Sequence, residues 1–141
     1  MDLVTSVRTC LTKYATFDGR ASRSEFWWFF LAASVVIVAV QLVQNVFVVF
    51  EFFARDSRLA VAFGLVTVML RIATFAMVVA LAIPFLAVGC RRLHDRGQSG
   101  WLQMLLLVPC GSIALIVLWI MEGTPGPNGY GLPPAPESGR V

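Results

Sequence analysis

LAVAFGLVTVMLRIATFAMVVALAIPFLAVGC, residues 59–90, is an apolar run broken once, by Arg71, and the place of that charge sets the number of membrane crossings. As a helix, residues 59–70 reach only about 18 Å while residues 72–90 reach about 28 Å, against a bilayer core about 30 Å thick. The break therefore favours one crossing here over two, with the shorter part extending the helix outward or tilting it. A bare apolar helix in water is unfavourable, so this extension is expected to pack against the long end of the helix before it.

Two other runs, residues 26–50 and 101–121, contain no charge at all, and each is long enough to cross. The chain has 141 residues, 58% of them hydrophobic and 13% charged, with a mean hydropathy of +0.79. Apolar residues in blocks at this density exclude an ordinary soluble domain. The expected fold is an all-α membrane protein with three transmembrane helices, spanning about 26–50, 66–90 and 101–121. Around that transmembrane domain, residues 26–122, lie an N-terminal cytoplasmic or interfacial segment, 1–25, and a Gly/Pro-rich tail, 123–141.

The N-terminal segment carries Asp2, Arg8, Lys13, Asp18, Arg20, Arg23 and Glu25 without an apolar centre. It does not read as a cleavable signal, so the first span serves as its own insertion signal. Leu3, Val7, Cys10, Leu11 and Tyr14 recur at helical spacing, which predicts an amphipathic helix lying along the membrane surface. After a turn at Asp18-Gly19-Arg20, Ser22 and Glu25 have the spacing of a capping box, so the first span starts near Arg23. Phe26, Trp27, Trp28, Phe29 and Phe30 then form an interfacial aromatic belt.

Counting Lys and Arg near the span ends puts Arg8, Lys13, Arg20, Arg23, Arg91, Arg92 and Arg96 on one side, with Arg55, Arg58, Arg71 and the distant Arg140 on the other. By the positive-inside rule the N-terminus is cytoplasmic, and three crossings then place the C-terminal tail outside. The net charge of +3 comes from basic residues beside apolar blocks, not from a separate domain, so anionic headgroups are expected as partners and nucleic acid is not. Cys10, Cys90 and Cys110 are widely spaced and form no CxxC pair, which reads as small apolar fillers, not a disulfide framework or zinc site.

Depth counting brings Gln41, Gln44 and Asn45 of the first span level with Arg71 and Thr74 of the second, predicting an intramembrane polar seam. A lone arginine at the bilayer centre costs about 2.5 to 3.5 kcal/mol, so Arg71 needs this seam, a water-filled cleft or the outer interface. The connector Arg91-Arg92-Leu93-His94-Asp95-Arg96-Gly97-Gln98-Ser99-Gly100-Trp101 holds most of the remaining reactive polarity. Its arginines suit phosphate, and His94 could move a proton. Alternatively, Asp95 and Glu25 neutralise arginines at headgroup level while Ser99 caps the third helix and Trp101 anchors it. One histidine beside one aspartate supplies too few ligands for a metal, and no cofactor is implied.

Three stretches carry a resemblance: Phe17 to Trp27 (FDGRASRSEFW), the connector with its RRLHD and SGW, and Gly123 to Gly131 (GTPGPNGYG). In this order they are similar to the signatures of the DUF805 family, small bacterial inner-membrane proteins of unknown function. Gly129 and Leu132-Pro133 depart from the usual family pattern, which weakens a polar role for the tail. The resemblance implies a bacterial inner-membrane location and this architecture, but no activity.

Topology puts the first two signatures on one membrane face, so Arg20, Arg23, Glu25, Arg91, Arg92, His94, Asp95 and Arg96 are the candidate cluster for headgroup or partner binding. The leading expectation is a non-enzymatic membrane protein using that cluster, able to associate with itself or with another membrane protein. One alternative is a small oligomeric transporter or channel component built on Arg71 and the Gln41, Gln44, Asn45 face. Another is an enzyme acting on lipid or isoprenoid phosphate with His94 as acid or base. It lacks the acidic pair that magnesium-dependent phosphate chemistry uses. Substrate, partner and oligomeric state are not readable from the residues.

Overall fold

The computed structural model describes residues 2–54 and 58–134. Four α-helices and one 3-10 helix follow in order: α1 (Leu3–Thr12), α2 (Arg23–Phe53), α3 (Arg58–Asp95), the 3-10 helix Gly100–Leu107, and α4 (Gly111–Ile120). No strand is present among the described residues, apart from an isolated bridge between Asn128 and Gly131. The stretches Arg23–Phe53 and Leu59–Asp95 are long and apolar enough to cross a membrane. The chain forms two compact units, one from Met1–Ala32 with Ile83–Val141, the other from Ala33–Ala82.

Helix α2 begins at Arg23, where the Ser22 hydroxyl accepts from the Glu25 backbone N–H at 3.1 Å. Only half of the expected capping box forms, because the Glu25 carboxylate is bonded to Arg91 instead. In the second unit the outer part of α3 packs on the end of α2, as its apolarity requires. Phe50 stacks on Phe63 with ring centroids 5.8 Å apart, and Gly64 lies beside Glu51. Gln44 donates to the Leu70 carbonyl at 3.1 Å and to the Thr74 hydroxyl. That is the only part of the predicted seam seen among the described residues: Gln41, Asn45 and Arg71 are exposed. On a helix Asn45 is turned about 100° and Gln41 about 60° from Gln44, so Gln44 can face α3 while the other two stay exposed.

The first unit departs most from the expectation of three crossings. Residues 101–121 are two short helices broken at residues 108–110, not one span. Pro109 has no backbone N–H to continue a helical ladder, and Cys110 sits in the left-handed region at φ 64°. Gly111 lies so close to the Leu105 backbone that a Cβ would collide with it. Eight 3-10 residues rise about 16 Å and ten α-helical residues about 15 Å, each about half of a bilayer core.

Both arms of this hairpin return to the end of α3. Gln103 donates to the Leu86 carbonyl at 2.9 Å and the Trp119 indole to the Gly89 carbonyl at 3.3 Å. Gly100 rests on Cys90, and the Thr124 N–H donates to the Asp95 carbonyl at 2.9 Å. The tail, expected on the far side, therefore sits beside the connector. Phe26, Phe29, Ala87, Val88, Leu93, Leu115 and Trp119 fill the core of this unit, with the Phe26 and Trp119 rings 4.7 Å apart.

Helix α1 forms as its spacing predicts, but the face it buries is Ser6 and Cys10. Leu3, Val4 and Leu11 stay exposed.

Candidate functional site

The end of α3 places Arg91, Arg92, His94 and Asp95 within two helical turns, and all four are buried. A buried cation is tolerated only when paired and hydrogen-bonded, and the partners come from all three signature stretches. Asp95 is the hub. Its Oδ1 accepts from Arg20 Nε at 2.8 Å and its Oδ2 from Arg92 Nη1. Glu25, one turn into α2, accepts from Arg91 Nη1 at 2.7 Å.

Main-chain carbonyls take most of the remaining donors. Arg20 reaches the Thr124 and Gly126 carbonyls, each at 2.7 Å, and the Asp95 carbonyl at 3.3 Å. Arg92 donates to the carbonyls of Trp119, at 3.1 Å, and Met121. The turn-rich tail suits this role because Gly and Pro leave its carbonyls unpaired by any helix ladder. Gly123 is required at its place: a Cβ there would run into the Asp95 carboxylate. Arg23 pairs with Glu122 at 3.1 Å in an exposed contact. Arg91 Nε and Nη2, with Arg96 Nε and Nη1, are buried without a partner among the described residues.

His94 lies flat against Tyr130, with ring centroids 3.9 Å apart and planes 6° from parallel. Its Nδ1 is 3.3 Å from the Gly19 carbonyl and its Nε2 3.5 Å from the Cys90 sulfur. A carbonyl only accepts hydrogen bonds, so Nδ1 carries the ring hydrogen and donates to it, leaving Nε2 to accept from the thiol. Asn128 fastens the tail from the other side by donating to the His94 carbonyl at 2.9 Å. Cys10 of α1 packs against this cluster, its sulfur 3.9 Å from Glu25 Oε1. Burial, helped by the Glu25 carboxylate, pushes the Cys10 thiol up to about 12, so it stays protonated at neutral pH.

Beside the His94–Tyr130 stack is a cavity of about 700 Å³, bounded among others by Phe17, Leu86, Cys90, Ser99, Trp101 and Gln103. No Asp, Glu, Lys or Arg among the described residues lines it. Ser99 caps the 3-10 helix at its rim, accepting from the Trp101 N–H at 3.3 Å.

The structure brings together Arg20, Glu25, Arg91, Arg92 and Asp95 as ion pairs, His94 as a stacked ring, and Arg23 at the exposed edge. Asp95 does not orient the imidazole; its carboxylate is taken by two arginines. Tyr130, Thr124, Asn128 and the carbonyls of Gly19 and Gly126 were not among the predicted site residues. For all but Gly19, which lies in the FDGRASRSEFW stretch, the signal is the GTPGPNGYG stretch of the Gly/Pro-rich tail.

These features define a class: a small helical membrane protein whose N-terminal turn, helix end and C-terminal tail are tied by a buried arginine–carboxylate lock. A profile of the family described as "Protein of unknown function (DUF805)" matches residues 14–132, and the chain belongs to that family. It is 34% identical over 125 residues to the inner membrane protein YhaI of Escherichia coli strain K12, covering 88% of this chain and 90% of that protein. It is 33% identical over 125 residues to the inner membrane protein YhaH of the same strain, covering 88% and 91%. No solved structure matches.

Proposed function

We propose that this is a non-enzymatic inner-membrane protein that binds a lipid with an uncharged, hydrogen-bonding head in the cavity beside His94 and Tyr130. The observation that carries this reading is the contrast between two neighbours. Arg20 and Arg92 are spent on Asp95 and main-chain carbonyls and Arg91 is paired with Glu25, whereas no Asp, Glu, Lys or Arg among the described residues lines the cavity of about 700 Å³. Sites for small ligands are typically about 300–1,000 Å³ and mostly apolar, with a few polar groups. The Ser99 hydroxyl, the Gln103 amide oxygen and the imidazole edge are such groups here. Anionic headgroups then fall to Arg8, Lys13, Arg23 and Arg96 instead of Arg20, Arg91 and Arg92. The enzyme reading is less favoured, since the His94 ring nitrogens face a main-chain carbonyl and a thiol and its face is covered by the Tyr130 ring.

The test uses protein extracted in native nanodiscs, comparing bound lipids by mass spectrometry between wild type and Met104→Trp. Met104 lines the cavity but makes no contact with the ion pairs, so filling the space should leave the fold intact. The expected result is an uncharged lipid retained by wild type and reduced at least about tenfold in the variant, the loss of about 1.4 kcal/mol. Identical lipid content, or anionic phospholipid alone in both, overturns the proposal.

In the same reading α2 and α3 cross the membrane, and the hairpin of residues 100–121 enters and leaves by one face. The described part of the tail then joins the connector's side, where Arg8, Lys13, Arg20, Arg23, Arg91, Arg92 and Arg96 already gather. Both termini are cytoplasmic by the positive-inside rule. A fluorescent protein fused to the C-terminus should fold and glow, and alkaline phosphatase fused there should stay inactive. The reverse pattern refutes this topology.

A further inference from the structure

The second unit exposes a polar face that its own helices do not use. Val48 and Phe52 of α2 and Ala60, Gly64 and Arg71 of α3 line one open groove with Glu51. Residues 41, 45, 48 and 52 fall within about 60° of one another on a helix, so Gln41 and Asn45 continue the α2 wall of that groove. All three side chains, Gln41, Asn45 and Arg71, are exposed, and Arg71 has no hydrogen-bond or ion-pair partner among the described residues. In a chain whose relatives are inner-membrane proteins, a guanidinium and two amides facing acyl chains are costly.

We propose that this groove binds a second copy of the chain, Arg71 of each copy donating to the Gln41 and Asn45 amide oxygens of the other. Height makes the match. Gln44 bonds to the Leu70 carbonyl and to Thr74, which sets Gln41 and Asn45 of α2 level with Arg71 of α3. Copies inserted in the same direction are related by a two-fold axis along the membrane normal, and such an axis brings together groups of equal depth. Arginine only donates and amide oxygens accept, so the face is complementary to itself. Ala60 and Gly64 let the backbones approach, as small residues do at contacts between membrane helices. This inference is independent of the lipid cavity and lies in the other unit.

The experiment uses the full chain in native membranes, with the exposed Cys110 replaced by serine. Under mild oxidant, Val48→Cys is expected to give disulfide-linked dimers. Val43→Cys, on the opposite side of α2, gives few or none. In nanodiscs or detergent, Asn45→Leu should raise the dimer dissociation constant about three- to twentyfold, the range of measured interhelical hydrogen bonds in lipid. Absence of Val48→Cys dimers, equal cross-linking from both faces, or an unchanged dissociation constant in Asn45→Leu overturns the proposal. Recovery of the cross-linked Val48→Cys dimer as a folded species excludes misfolding as the source of the contact.

Discussion

Asp95→Asn is expected to destabilise the first unit by about 3–5 kcal/mol, the cost of removing one partner from a buried ion pair. The magnitude follows from how little solvent reaches the site: the side chains of Arg20, Arg92 and Asp95 are 2%, 1% and 6% exposed. Asparagine has nearly the same shape and still offers one oxygen, so the loss reports charge and not packing. Two guanidiniums would face a neutral amide in a site whose low exposure leaves little solvent screening. Thermal unfolding in nanodiscs, followed by tryptophan fluorescence, measures the effect. Glu122→Gln serves as the contrast, because the Glu122 and Arg23 side chains are 81% and 40% exposed. After solvent screening, such a pair contributes at most about 1 kcal/mol. Equal small losses from both substitutions would show that Asp95 is not the hub.

Composition and spacing made some of this arrangement legible before any coordinate. The start of α2 at Arg23 is set by Ser22, and helical rise alone puts Gln44 level with Thr74, although Gln41, Asn45 and Arg71 of the same expected seam stay exposed. The meeting of Arg20 and Glu25 with Arg91 and Asp95 followed from placing charges on the same side. Each of these depends on distance along a helix or on the sign of a charge, quantities that a sequence displays directly. The hairpin of residues 100–121 was missed because hydropathy measures the length of an apolar run and says nothing of its direction. Pro109 and Gly111 inside that run were the available signal for a reversal. The tail was missed for a different reason. Its contribution to the lock is made by carbonyl oxygens of Thr124 and Gly126, which are common to all residues and leave no mark on side-chain chemistry.

That dependence on carbonyls separates two substitutions at Arg20. Arg20→Ala removes both the partner of Asp95 Oδ1 and the donors to the Asp95, Thr124 and Gly126 carbonyls. A loss of about 3–5 kcal/mol is expected, together with cleavage of residues 124–131 by added protease. Arg20→Lys keeps a positive charge for Asp95, but one compact ammonium on a flexible stem cannot span the carboxylate and two carbonyls on either side of it. The lysine variant should therefore retain more of its thermal stability and yet lose the tail to protease as readily as the alanine variant. Combining Arg20→Ala with Asp95→Ala should cost less than the two single losses added, by about 0.5–3 kcal/mol, because the second change no longer strands a buried charge. If the lysine variant protects the tail as wild type does, the carbonyl contacts are incidental and the ion pair alone holds the signatures together. If it does not, Tyr130 leaves the face of His94 with the tail, and the cavity wall opens on that side without any change in the charge of the site.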